Sequence, residues 1–279
     1  MRLKFQGNLA DNGEIDFYDL AKALDGFQRS LALTTHLILN GEVITQSPSL
    51  KNAKIIVSPP QKGSFVVLVT ILGGIGYLGT RPTDTPLGHL VHSAYDYVMK
   101  NAFGVKLDYE KSIGDLLEQR SKEIGRTLNQ GRLDDLTEKC EIAIKDMHRP
   151  IVQSETAERA NVSRIVSDQP ARLVTRLSAQ TYDSLRFERR TTIIKQYEGL
   201  VSSYNVNTKV GRFYLVAESR TVPFKLSAPL AESDVGALLA RSMERLAQRK
   251  LEVPIKFGAF ENQSRSGRLR SLFVMSVTD

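Results

Sequence analysis

Three groups of residues combine side-chain type and spacing in ways that could carry chemistry. Gly74-Ile75-Gly76-Tyr77-Leu78-Gly79 is a literal G-x-G-x-x-G behind a strand-like segment. Its phosphate-binding form needs a helix opening at the middle glycine, so that free backbone N–H groups face a pyrophosphate. Pro82 and Pro86 follow too soon for that helix, so the motif reads as a Gly-rich turn. His89, His92 and Asp96 fall at i, i+3 and i+7 of a helical pattern. Two imidazoles and a carboxylate on one face suit a divalent metal, but no third histidine is near, and ordinary half-buried histidines explain them as well. Asp134, Asp135, Glu138 and Glu141 form a carboxylate cluster. General acid–base work would need one of them buried in a cleft, whereas a solvated helix face with acids near its positive end needs nothing special. Cys140 lies in an apolar stripe, where a thiol is inert packing. Gly-x-Ser-x-Gly is absent, and Lys62-Gly63-Ser64 lacks the earlier glycine of a phosphate-cradling loop. The sequence calls for no cofactor and no metal.

Charge gives the stronger signal. The 279 residues carry 38 Lys and Arg against 31 Asp and Glu, a net charge of +7. Residues 1–150 hold 18 of each sign, and residues 151–279 hold 20 cations against 13 anions. A basic second half attracts anions, nucleic acid first among them. Arg186, Arg189 and Arg190 cluster before one strand pattern, and Arg265, Arg268 and Arg270 cluster around the last turn. Lys209 and Arg212 flank a hairpin, with Tyr197, Tyr204, Phe213 and Tyr214 among them. Cations neutralise phosphates and exposed rings stack on bases, which is the mixture nucleic-acid-binding barrels use. Arg268 and Arg270 share a face by alternation, which predicts one exposed patch there. In Arg212-Phe213-Tyr214 alternation sends at least one ring to the core.

The elements that must position these residues follow from periodicity. A strand at 2–7 precedes a long amphipathic helix with Phe17, Leu20, Leu24, Phe27, Leu31 and Ile38 on one face, stopped by Asn40-Gly41. Strands at 53–58 and 64–72 flank a turn at 59–63. Three helical stripes follow: 87–103, then 113–128 closed by Gln130-Gly131, then 133–147 ended by Pro150. The polar stretch 151–185 reads as a connecting segment with short strands. Beyond Arg186 the period becomes two, giving strands at 191–203, 211–217, 221–226, 253–260 and 268–277, with a helix at 233–249. The predicted fold is α+β. A small N-terminal sheet with packed helices at 1–150 precedes an OB- or SH3-like five-stranded barrel with an inserted helix at 186–279. The 18 uncharged residues at 63–80 just reach membrane-span length, but five glycines and a β-branched run favour a buried strand and loop. No apolar run follows the charges at 1–8, so no signal peptide is expected, and one cysteine points to a reducing cytoplasm.

The phrases Tyr18-Asp19-Leu20-Ala21-Lys22-Ala23-Leu24-Asp25-Gly26-Phe27-Gln28-Arg29-Ser30 and Pro59-Pro60-Gln61-Lys62-Gly63-Ser64-Phe65 resemble an uncharacterised family of bacterial proteins. So does Gly199-Leu200-Val201-Ser202-Ser203-Tyr204-Asn205-Val206-Asn207-Thr208 through Gly211-Arg212. The resemblance implies an α+β N-terminal region before a small β-barrel and a bacterial cytoplasmic setting. A role beside mobile elements or in phage defence is implied by association. It supplies no catalytic residues.

The expectation is a non-enzymatic binding protein. Its basic barrel contacts DNA or RNA through Arg186, Arg189, Arg190, Tyr204, Lys209, Arg212, Arg265, Arg268 and Arg270, and its N-terminal domain makes oligomer or partner contacts. No membrane association is expected. Two alternatives stand beside it. One is an assembly or regulatory subunit that binds protein, without nucleic acid, through the helix at 17–39 and the Gly-rich loop at 73–79. The other is a nucleotide- or metal-dependent enzyme at 73–92.

Overall fold

The computed structural model describes residues 1–44, 50, 53–58, 66–73, 86–165 and 172–279. The chain divides into two compact units, Met1–Arg186 and Phe187–Asp279. The Gly-rich motif at 74–79, Lys62-Gly63-Ser64 and the turn at 59–63 lie outside the described residues.

In the first unit, β1 (Arg2–Gln6) alternates as predicted, with Leu3 and Phe5 fully buried. In α1 (Phe17–Asn40), the side chain of Asp16 accepts from the Asp19 N–H at 2.9 Å and so caps the start. Gly41, at φ 69°, stops it, its N–H donating to Leu37 O at 2.8 Å. This is the left-handed stop expected of Asn40-Gly41. β2 (Ala53–Ser58) and β3 (Val66–Gly73) pair antiparallel. α2 (Pro86–Ala102), α3 (Asp115–Ile124) and α4 (Gln130–Met147) supply the three helical stripes. The expected stop at Gln130-Gly131 is corrected: α3 ends at Gly125, φ 63°, and Gly131 lies inside α4. Asn129 competes successfully for that position, because its side chain accepts from the Arg132 N–H at 3.0 Å and so starts a helix there. Pro150 falls in the first turn of α5 (Arg149–Val152), where its missing N–H has no partner to lose.

The stretch 151–185, read as a connector, instead completes the first unit with β4 (Arg159–Arg164), β5 (Arg172–Leu177) and α6 (Ala179–Arg186). Polar outward side chains hid its alternation, since Ala160, Val162 and Leu177 are fully buried between them. The sheet order is β2-β3-β1-β4-β5, with every neighbouring pair antiparallel. Leu3, Phe5, Val67, Val69, Ala160 and Val162 join Phe27, Leu31, Val98, Leu136 and Ile144 in one apolar core. Gly26 lets α1 approach α4, because a Cβ there would sit 2.2 Å from Ala143 O. Asp19, also buried, accepts from Arg149 Nε at 2.8 Å and from the Ser154 N–H at 3.0 Å, which fixes α1 to the chain after α4.

The second unit opens with the two-residue β6 (Arg189–Arg190), followed by β7 (Lys195–Asn205), β8 (Val210–Leu215) and β9 (Arg220–Leu226). The helices α7 (Ala228–Ala231) and α8 (Val235–Ala247) lead to β10 (Ile255–Gln263) and β11 (Leu269–Thr278). Strands β7, β8, β9, β11 and β10 pair in that order and β10 returns to β7, so five strands close a barrel. The closing pair β9–β11 is parallel, with Phe224 opposite Leu272 and Lys225 opposite Phe273. Ring order one-two-three-five-four, with the helix between strands three and four, is the OB connectivity. Ser242 on α8 ties that helix to β7 by accepting from the Val201 N–H at 3.0 Å.

A column of stacked rings threads this barrel. Tyr197 lies on Phe257 at 5.6 Å, Phe257 on Phe213 at 3.9 Å, Phe213 on Phe224 at 4.2 Å and Phe224 on Tyr204 at 6.1 Å. The three phenylalanines are buried and the two tyrosines half-buried, so the column begins and ends at the surface. At one end Tyr197 hydrogen-bonds the buried carboxylate of Glu261. Lys195 donates to the same carboxylate at 2.9 Å and Gln263 at 2.6 Å. Burial alone would raise the Glu261 pKa, but these three donors outweigh it and hold the carboxyl below its ordinary range.

Candidate nucleic-acid interface

The other end of the ring column opens on a groove of about 620 Å³. The groove crosses all five barrel strands, from Tyr204 and Asn205 on β7 to Asn262 on β10 and Arg190 on β6. Alternation supplies its floor. On β8, Arg212 points outward beside buried Phe213, and on β9 Pro223 and Lys225 flank buried Phe224. On β11, Phe273 points outward between buried Leu272 and Val274. Gly211 leaves space no other residue could leave, because a Cβ there would meet Ser203 O at 2.3 Å and the Phe224 ring at 2.7 Å.

Three cations line this groove: Arg190, Arg212 and Lys225. Among the described residues no carboxylate lines it. Arg212 is held in place by Thr221, to which Nη2 donates at 3.0 Å through both the carbonyl and the hydroxyl. Arg190 donates from Nε to Asn262 Oδ1 at 3.1 Å and lays its guanidinium over Phe273, 4.2 Å from the ring centroid. Asn262 in turn donates to Ser271 Oγ at 2.8 Å, and Ser271 donates to Glu188 at 3.3 Å at the rim. Burial against the ring column raises the Tyr204 hydroxyl above its ordinary pKa, so it is a neutral donor and acceptor at physiological pH.

Of the nine expected contact residues, the groove brings together Arg190, Tyr204 and Arg212. Arg189 is exposed on β6 opposite Gln263, outside the groove lining. Lys209 is in the β7–β8 turn at φ 58°, its N–H donating to Asn205 O at 2.9 Å. Arg265 and Arg270 gather at Phe187 instead: Arg265 stacks 5.4 Å from the ring and Arg270 Nη1 donates to the Phe187 carbonyl at 2.9 Å. Arg268 is only 8% exposed, which corrects the expected outward pair of Arg268 and Arg270. The turn is the cause, since Gly267 at φ 89° and the Arg268 N–H on Ser264 Oγ redirect the chain before β11 begins. Arg186 closes α6 in the first unit, where its guanidinium lies 5.7 Å from the Tyr182 ring. Sequence reasoning missed Lys225 and Phe273. The signal was present, because both alternate with apolar residues in Phe224-Lys225-Leu226 and Leu272-Phe273-Val274.

The other candidate chemistry disperses. His92 Nδ1 lies 3.0 Å from Met1 Sδ, His89 from Ser93 Oγ at 3.3 Å, and Asp96 pairs with Lys100 at 2.8 Å. No metal-binding group of three ligands occurs among the described residues. The α4 carboxylates are not a uniformly solvated face: Glu141 is buried, and Asp134 accepts from Asn101 at 2.8 Å. Burial pushes the Cys140 thiol up to about 12. No helix among the described residues is long and apolar enough to cross a membrane.

A family model described as a domain of unknown function (DUF7946) matches residues 1–186, which is also the extent of the first structural unit. A second, described as a family of unknown function (DUF7947), matches residues 194–278 and so takes in the whole closed barrel. No curated protein and no solved structure matches the chain. By the extent of the first match, the chain belongs to the DUF7946 family.

Proposed function

We propose that this protein is a non-enzymatic binder of single-stranded nucleic acid, held in the barrel groove. One observation carries the reading: a groove across the face that OB barrels use for oligonucleotides is lined by three cations and no described carboxylate. Arg190, Arg212 and Lys225 meet phosphates, and displacement of counterions drives association. Phe273 and Tyr204 offer ring faces to bases, which suits an unpaired strand because every base has a π-face to stack. A single thiol buried in a core fits a reducing, cytoplasmic setting.

The test is fluorescence anisotropy with labelled oligo-dT and oligo-rU across a salt series. Binding is expected to weaken linearly on logarithmic axes. The Arg190→Ala/Lys225→Ala variant should lower the slope by about 1.4, at ~0.7 per phosphate contact on a single strand. The ratio of the two affinities assigns DNA or RNA. Absence of salt-sensitive binding to either strand, or the same slope in the double variant, overturns the reading.

A further inference from the structure

Counting charge by halves of the chain conceals a segregation, because the strands of the N-terminal sheet come from both halves. The five strands of the N-terminal sheet contain seven Lys or Arg and not one Asp or Glu. Register sorts them by face. Leu3 and Phe5 on the central strand β1 face the helical core, so Arg2, Lys4 and Gln6 project from the opposite face. Lys4 lies opposite Asn161, Gln6 opposite Arg159, and Asn161 opposite Arg176, which places these side chains on that same face across β1, β4 and β5. Exposed Lys54 on β2 alternates with buried Ala53 and joins them.

The polar side chains of this face are aligned to one another. Asn161 Nδ2 donates to Gln6 Oε1 at 2.8 Å, and Arg176 Nε donates to Asn161 Oδ1 at 3.4 Å. Arg159 has an exposed ion pair with Glu158 at 3.6 Å. Arg2 Nε is buried and meets no partner among the described residues. No aromatic residue occupies an outward position on these strands.

We propose that this open sheet face is a second contact surface for nucleic acid, engaging phosphates alone. Charge complementarity selects the occupant. Five cations, Arg2, Lys4, Lys54, Arg159 and Arg176, spread over four strands of a sheet whose strands run ~4.8 Å apart. Guanidinium and amide donors side by side match the non-bridging oxygens of a chain that carries a charge at every step. With no ring to stack on, the face reads the backbone and is indifferent to sequence. The proposal rests on its own residues and not on the barrel groove.

The test uses the full chain and labelled 30-mers of dT and rU. The variant Lys4→Gln/Arg159→Gln/Arg176→Gln removes three charges. A companion, Lys4→Arg/Arg159→Lys/Arg176→Lys, keeps them. The Gln variant should lower the salt slope by about 2 and weaken low-salt binding by roughly tenfold or more, while the companion binds as the parent does. An unchanged slope in the Gln variant overturns the proposal, as does equal loss in the companion, which would make the effect one of packing. Binding of the parent to anionic vesicles or polyglutamate but not to nucleic acid overturns it too. If Arg190→Ala/Lys225→Ala is silent and the sheet variant is not, the barrel reading fails and this one stands. The reverse pattern sinks this one alone.

Discussion

The guanidinium of Arg190 lies over Phe273, its Cζ 4.2 Å from the ring centroid, while its Nε is held by Asn262 Oδ1. The two residues come from strands that are not neighbours: β6 pairs with β10, and β10 with β11. The stack immobilises a long side chain before any ligand arrives, which lowers the ordering cost of binding. It also couples a cation to the aromatic surface beside it, so that a phosphate and a base can be met by one preformed unit.

Substitutions at these two residues should therefore separate charge from stacking. Phe273→Ala should cost about 1–3 kcal/mol of single-strand affinity with the salt slope unchanged. Arg190→Ala should reduce the slope by ~0.7 and weaken binding less at high salt than at low. Anisotropy titrations at three salt concentrations distinguish them. A Phe273→Ala variant that alters only the slope would show that the ring positions Arg190 and does not stack on bases.

How far the sequence reached depended on the range of the contact that decided each feature. The helix stop at Gly41 and the alternation of β1 are set within a few residues, and both were readable. The inserted helix and the five barrel strands were readable by period. The assignment of β4 and β5 to the N-terminal sheet was not, because β4 pairs with β1 more than 150 residues away and its outward side chains are polar. The groove has the same limitation. Lys225 and Phe273 meet only through the parallel closure of the barrel, a pairing no local pattern announces. Charge summed by halves divided the sheet between them, three of its seven strand cations before residue 150 and four after it, and so hid a set of strands without Asp or Glu.

The last-turn arginines divide between structure and surface. Arg268 is buried, whereas Arg265 is exposed over Phe187. Arg268→Ala should destabilise the barrel by more than about 1 kcal/mol, and Arg265→Ala should stay within about 0.5 kcal/mol of the parent. Thermal melts followed by near-ultraviolet circular dichroism of the tyrosines give the comparison. Equal melting temperatures for the two variants would place Arg268 at the surface after all.

His148 gives the first unit an acid sensitivity of defined range. It is fully buried between Phe103 and Tyr182, each 5.8 Å away between ring centroids. Ile144 O can only accept, so Nδ1 carries the proton of this 2.7 Å bond, and Nε2 lies 2.9 Å from Thr181 Oγ1, a hydroxyl that also reaches Ser178 O at 2.9 Å. The neutral ring satisfies the bond to Ile144 O. Burial pushes its pKa down from 6.5 to about 4, against a smaller upward pull from Ile144 O. The unfolded chain takes up a proton below pH ~6.5 that the folded unit refuses until pH ~4, so stability is flat above this window and falls through it. The loss should reach about 3 kcal/mol by the linkage relation. His92, held down to about 3 by burial first and then by neighbouring positive charge, steepens the same limb. Urea melts at pH 7.5, 6, 5 and 4 should show the decline. His148→Gln should lie lower at pH 7.5 yet converge on the parent as the pH falls. Parallel declines for parent and variant would mean that His148 takes no part in the acid limb and that other groups carry it.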